Sequence, residues 1–256
     1  MQPEAEWKTD VANALQGPSM EHWFGTDSLG RDLFLRTFYG ARISLLLGCL
    51  SSLCALLIGL CYGSFAAWKG SWYDQIMMRS LEIFQSLPQM ITIGLLVLFL
   101  GAKVKSSEGI LMIFKLTMAI SFGSWMLFAK LSRNLTLREK ALPYVEAARA
   151  MGASSRRIFF RHILPNISTS LLVMMGMQIP NFLLFESILS FIGLGIQPPQ
   201  SSWGILLQEG WKTLSVYPHL ILFPAAILFL TVFSLNFVFD HFRLQLQKPF
   251  GSEVNQ

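Results

Sequence analysis

The chain has 256 residues, of which 53% are hydrophobic and 14% charged, with a formal net charge of +5; its mean hydropathy is +0.49. A water-soluble domain carries about 25% charged residues, so the composition excludes one, and the long apolar runs make the chain an all-α integral membrane protein. The positive charge does not point to nucleic acid, because the basic residues gather between hydrophobic runs, where the positive-inside rule places them.

Residues 1–40 form a polar N-terminal segment with Trp7, Trp23 and Phe38 interspersed and a turn-rich charged stretch, HWFGTDSLGRD, at 22–32. The first twenty residues hold Glu4, Glu6 and Asp10 and lack the apolar core of a cleavable signal peptide. Residues 43–68 predict a first spanning helix of about 39 Å. Its Gly48, Gly59 and Gly63, with Ser51, Ser52 and Ser64, offer small faces for close helix contact. A short polar connection with Asp74 follows at 69–79. Residues 88–101 predict a second span beginning near Ile83, followed by a turn holding Lys103, Lys105 and Glu108. Residues 110–129 predict a third span, with Lys115 snorkelling from one end.

The interval 143–166, PYVEAARAMGASSRRIFFRHILPN, is the most basic in the chain and carries Arg149, Arg156, Arg157 and Arg161. Pro143 suits a first helical position and Gly152 the residue just past a helix end, which predicts a two-turn helix over 144–151. Ser154 or Ser155 suits the cap of a second helix running to Pro165. Residues 167–194 are too long for one untilted span and contain Gly176, Pro180 and Asn181, which predicts a helix, a kink at Pro180 and a short second helix ending near Gly193–Gly195. A polar loop with Trp203 and Trp211 covers 197–217, and 219–239 is the last span, before a tail with Arg243 and Lys248.

That makes five spans. Lys130, Arg133, Arg138 and Lys140 share one loop with the four arginines of 143–166, so this loop is cytoplasmic. Counting outward places 69–79 and the tail inside, and 1–40, 103–108 and 197–217 outside. Arg31, Arg36 and Arg42 then lie outside, against the positive-inside rule.

Catalytic and cofactor signatures are missing from the sequence. It has no phosphate-binding GxxxxGK[ST], no HExxH and no GxSxG, and His22, His162, His219 and His241 are dispersed. Cys49, Cys54 and Cys61 share one apolar run without CxxC spacing and read as small hydrophobes, and the twelve methionines are scattered packing residues rather than a metal site. Glu186 is the one acid well inside an apolar run. It reads either as a residue at the outer helix end or as a lining or gating residue at the mouth of a pathway. The interval 143–166 has two readings as well: a docking handle, whose Ala147, Ala148 and Ala150 let another protein approach closely, or a basic interfacial helix at the lipid headgroups.

EAARAMG, followed at thirteen residues by Pro165, resembles the EAA loop of bacterial ABC-importer permeases, with Glu146, Ala147, Ala148 and Gly152 at the motif positions. His162 stands where the general pattern has Ile, and HILPN at 162–166 is similar to the dipeptide, oligopeptide and nickel branch. FGTDSLGRD with the following YGARISLLLG, and FESILSFIGLGIQPPQSSWGILLQEG at 185–210, agree with the same branch. The three motifs occur in order over residues 22 to about 240 and resemble the C-type permease subunit of a peptide importer. Members of the branch usually have a further transmembrane helix before the FGTD segment, where this sequence offers only about twenty polar residues; either the subunit lacks that helix or the reading frame starts late, which leaves the side of the N-terminus open.

The resemblance implies a type I ABC-importer transmembrane domain over 41–242 and a cytoplasmic tail over 243–256, in a multi-pass protein of the bacterial inner membrane. It implies a heterodimer with a sister permease subunit, two ABC ATPase subunits that hold the ATP and Mg, and an extracytoplasmic solute-binding protein. This chain itself carries no cofactor and no catalytic role. Glu146, Ala147, Ala148, Gly152 and Pro165 would couple to the ATPase, and the path would switch between two packings. Trp203 and Trp211 stand either as contacts for the binding protein or as an aromatic belt. Peptides are the expected substrate, with nickel or another small solute as the alternative, and a non-transporting membrane scaffold of an ATPase as a reading of a different class.

Overall fold

Helices account for nearly all of the regular structure in the computed structural model, which describes residues 9–102, 109–198 and 200–247. Beside them are a short 3-10 turn, Val11–Asn13, and one antiparallel bridge between Thr26 and Asp32. The expected turn at 103–108, Trp7 and the tail from 248 lie outside the described residues.

Helix α1, Leu33–Lys69, starts ten residues before the expected span. Asp32 is the reason: its side chain accepts the backbone N–H of Leu35 at 2.9 Å and caps the first turn. Gly70 and Ser71, both at positive φ, then turn the chain into α2, Ser71–Gln85. The expected polar connection at 69–79 is therefore mostly helix. Helix α3, Gln89–Ala102, follows at a bend of 88°. Pro88 sits at the break, and the residue before a proline is pushed out of the helical region. At 14 residues α3 reaches only about 21 Å, short of a bilayer core of about 30 Å. The second span is thus a bent pair, not one straight helix.

Helix α4, Gly109–Lys140, continues eleven residues past its expected end, and α9, His219–Gln247, eight past its own. Between them come α5, Pro143–Ala150, then α6, Ser155–Ile158, a π turn at Phe159–Ile163, and α7, Leu164–Phe191. A ten-residue helix, α8, Trp203–Lys212, occupies what the sequence suggests is a loop. Four continuous helical stretches among the described residues are long and apolar enough to cross a membrane: Leu33–Lys69, Ile110–Lys140, Ser155–Phe191 and His219–Gln245. The bent pair, counted as one span, brings the number to five.

Two expectations for the fourth span fail. Pro180 lies inside an unbroken α7, with no second helix after it, and α7 ends at Phe191 ahead of Gly193 at φ +86°. Pro180 is buried, and the protein interior holds the turn it weakens. The second helix of the 143–166 interval also runs on through Pro165 into the span. A proline clashes with the carbonyl four residues back. The π turn relieves this by widening the turn before Pro165, and Leu164 N–H reaches the Phe159 carbonyl, five residues back.

The chain forms two compact units: the described parts of Met1–Ser51, Gly94–Ile120 and Ile179–Asn236, and those of Ser52–Ile93, Ser121–Gln178 and Phe237–Gln256. The first has a core of Leu33, Leu206 and Leu220, with Leu15, Phe24 and Tyr217 packed on it. In the second, Leu81, Met126 and Ala129 pack with Tyr62, Met78 and Trp125. The small face of α1 is used in both units. In the second, a Cβ on Gly63 would sit 2.0 Å from the Ala129 carbonyl oxygen, so only glycine lets α1 and α4 come this close. Ser132 Oγ donates to the Gly59 carbonyl at 2.9 Å and Ser64 meets Thr136 at 3.2 Å on the same seam. These bonds explain the longer α4: its polar last turns find partners within the protein rather than in water.

Candidate functional site

In the second unit, α5 is bounded by local chemistry. Leu142 is extended and Pro143 occupies the first turn. At the other end Gly152 takes φ +82°. Its N–H bonds the Arg149 carbonyl at 3.0 Å and Ala153 N–H bonds the Ala148 carbonyl at 3.0 Å, the double closure of a Schellman motif. Val145 and Ala148 are buried, while Glu146, Ala147, Arg149, Ala150 and Gly152 are exposed. Ala148 therefore packs inward, and Ala147 and Ala150 supply the small outward surface. Pro165 is exposed on the following helix. Ser154 is the cap of α6, accepting from Arg157 N–H at 3.4 Å.

A polar clasp fixes α5 to the helices on either side. Tyr144 Oη donates to the Glu139 carboxylate at the end of α4. Asn166 Nδ2 donates to Tyr144 Oη at 3.0 Å and to Glu139 Oε2 at 3.3 Å. Partial burial, and then the Glu139 bond, raise the Tyr144 phenol above its ordinary value, so it keeps its proton near neutral pH and donates. The basic residues of this unit divide. Arg133 pairs with Asp74 at 2.5 Å. Lys140 Nζ donates to the Ala67 and Trp68 carbonyls at 2.8 and 3.1 Å, closing the end of α1. Arg149, Arg156, Arg157 and Arg161 are exposed.

The first unit holds a second polar centre, and it moves two sequence-predicted residues away from the surface. Glu186 is fully buried on α7 and accepts from Ser44 Oγ at 2.8 Å and Ser190 Oγ at 2.7 Å. It fastens α7 to α1, buried within the unit near the end of α7. Trp203 is 1% exposed; its indole N–H donates to the Thr37 carbonyl at 3.1 Å and its backbone N–H to Ser44 Oγ at 3.3 Å. It is a core anchor of α8, which withdraws it as a contact for another protein. The close packing depends on Gly204, where a Cβ would lie 2.5 Å from the Ser187 carbonyl oxygen. Trp211 stays exposed, edge-on to Phe191 at 6.2 Å.

Sequence reasoning misses the centre beside it. Arg36, with 1% of its side chain exposed, donates to Asp27 Oδ2 at 2.6 Å, Glu209 Oε2 at 2.5 Å and Ser201 Oγ at 3.2 Å. Arg31 donates through Nε to the same Asp27 oxygen at 2.7 Å and lies 3.8 Å from Glu209. Two guanidinium groups meet two carboxylates, so the cluster is neutral. On the expected topology these two arginines run against the positive-inside rule, and the neutral cluster removes the charge that the rule counts; that violation was the available signal. Among the described residues no group of His, Cys, Asp and Glu has metal-binding geometry, and the three cysteines are unbridged.

Residues 59–248 match the family model described as binding-protein-dependent transport system inner membrane component. The chain is similar to the oligopeptide transport system permease protein OppC of Bacillus subtilis, 37% identical over 235 residues that cover 92% of this chain and 74% of that one. It is 44% identical to the Escherichia coli K12 protein of the same description over 237 residues, 92% and 76% of the two chains. Among solved structures, the MetNI methionine ABC transporter in inward-facing conformations matches with a TM-score of 0.64 at 19% identity, over 83% of this chain and 95% of that one, which shows a shared fold. The chain belongs to the family of binding-protein-dependent transport system inner membrane components and is a multi-pass permease subunit of an ABC importer in the bacterial inner membrane.

Proposed function

We propose that this chain forms half of the translocation path of an ATP-driven peptide importer, beside a sister permease, and that α5 receives the motion of an ATPase. ATP and Mg would be held by two ATPase subunits, and a solute-binding protein outside the cell would deliver the peptide, with exposed Trp211 as a contact for it. The observation that carries the coupling role is the mounting of α5. Its outward face of Glu146, Ala147 and Gly152 is small and open, and a Cβ on Gly152 would meet nothing within 4 Å. The helix is fastened through Tyr144, Glu139 and Asn166 to the end of α4 and the start of α7. A push on α5 therefore moves two spanning helices together, as a switch between two packings requires. Oligopeptides are the substrate class borne by the relatives' descriptions.

The test is uptake by the complex reconstituted in liposomes with its sister permease, ATPases and binding protein. Labelled oligopeptides are expected to be taken up with ligand-stimulated ATP hydrolysis, and nickel is not. Gly152→Asp is expected to abolish uptake while the chain still inserts: nothing lies within 4 Å of the added Cβ, and aspartate is among the residues that tolerate a left-handed backbone, although φ +82° adds local strain. Uptake of nickel in place of peptides sinks the substrate assignment. Intact uptake and ATPase association in the Gly152→Asp complex sink the coupling assignment.

A further inference from the structure

Two adjoining hollows in the second unit share Arg156 and Phe160. The larger, about 530 Å³, is an apolar groove between the end of α1 and the start of the Ser155–Phe191 span, walled by Leu60, Cys61, Phe65, Trp68 and Phe159. The smaller, about 470 Å³, is basic and is lined by Ser154, Arg156, Arg157 and Arg161. The groove runs from Trp68 to Leu60, roughly 12 Å along α1 at the helical rise. Trp68, beside the terminal Lys69 of α1, is assigned to the interface level, where aromatic residues concentrate. Its ring lies 6.0 Å from Phe159, edge to face. The deep end of the groove is therefore within hydrocarbon, beyond the reach of a water-soluble partner.

The exposed arginines at the mouth differ from the buried or half-buried arginines of the chain. Among the described residues, Arg156, Arg157 and Arg161 make no ion pair, whereas Arg31, Arg36 and Arg133 each have a carboxylate. Arg156 lies over the Phe160 ring at 5.9 Å, at the boundary of the two hollows. An occupant must bring a long apolar tail and a negative head, joined at the depth where membrane meets water. Clustered arginines beside the cytoplasmic end of a spanning helix select that chemistry.

We propose that this composite groove binds an anionic phospholipid of the inner leaflet, with its phosphate on Arg156, Arg157 and Arg161 and one acyl chain along Leu60, Cys61 and Phe65. The site rests on the placement of the chain in a membrane and is independent of the coupling role of α5. It sits at the start of the helix that α5 is clasped to, so the lipid would steady the coupling segment from the membrane side.

The test uses the full-length chain in phosphatidylcholine nanodiscs doped with phosphatidylglycerol or phosphatidylcholine carrying brominated acyl chains. Quenching of Trp68 is isolated by subtracting a Trp68→Phe chain. Brominated phosphatidylglycerol is expected to quench Trp68 more than brominated phosphatidylcholine does. Arg156→Gln is expected to reduce that preference about fivefold, the share of one basic residue at an anionic surface. Cys61→Phe fills the exposed side of the groove without touching the arginines, and is expected to remove quenching by both lipids; it carries the test if Arg156→Gln fails to insert. Equal quenching by the two headgroups, or a preference that Arg156→Gln leaves unchanged, overturns the proposal. Absence of quenching by either lipid in the wild-type chain overturns it too, because the groove is then filled by protein.

Discussion

Two groups of arginines, one in each unit of this protein, have opposite fates. In the first, Arg31 and Arg36 are buried against Asp27 and Glu209 and their charge is cancelled in place. In the second, Arg149, Arg156, Arg157 and Arg161 stay exposed around α5 and the start of the next span. The same side chain is thus an internal fastener in one region and an outward-facing surface in the other. Charge counting along the sequence treats the two groups alike. What separates them is whether carboxylates, one near in sequence and one far, stand beside the guanidinium, since a buried charge without a partner is strongly disfavoured.

Four substitutions test this contrast, in descending order of effect. Asp27→Ala removes the carboxylate that both Arg31 and Arg36 use and leaves a buried guanidinium short of a partner, a change that costs about 3–5 kcal/mol in buried pairs. Thermal melting of the purified chain in detergent should show a loss large enough to deplete folded protein, and a melting temperature close to wild type would break the comparison. Glu209→Gln keeps the shape and an acceptor oxygen near Arg36 but removes one charge, so about 1–3 kcal/mol is expected on the same assay; an effect equal to that of Asp27→Ala would show that the two acids act as one unit. Ser154→Ala deletes the cap that accepts from Arg157 N–H, for which about 1 kcal/mol is typical, and is read best as faster backbone amide exchange over 155–158. Arg157→Gln removes an exposed charge with no ion pair and should change stability by less than about 0.5 kcal/mol. A melting shift as large as that of Glu209→Gln would mean that the exposed group has a hidden internal partner.

Legibility followed distance along the chain. The bounds of α5 were readable from Pro143 and Gly152 because a proline start and a glycine end act within a few residues. The five apolar stretches were readable because each satisfies its own backbone. Helix ends were misjudged where polar turns are stabilised by remote partners: α4 runs on to Lys140 because Arg133, Ser132 and Thr136 meet Asp74, Gly59 and Ser64. The start of α1 lay in plain view as Asp32, yet the apolar run that follows it drew attention to residue 43. Burial of Trp203 and Glu186 was out of reach, since both depend on Ser44, some 140 to 160 positions earlier. For the same reason a tryptophan in a polar stretch looked like surface, although its indole N–H has a buried carbonyl waiting on α1.

The double partnership of Arg36 has a consequence for biosynthesis. Asp27 precedes Arg36 by nine residues, whereas Glu209 follows it by 173. At roughly 5–20 residues per second, a ribosome needs roughly 9–35 s to make that intervening chain. Through this interval Asp27 is the partner of the cluster that has already been made when Arg36 is. Glu209, made later, completes the cluster. Asp27 is therefore the residue that lets this arginine be committed early, before the partner that seals it exists.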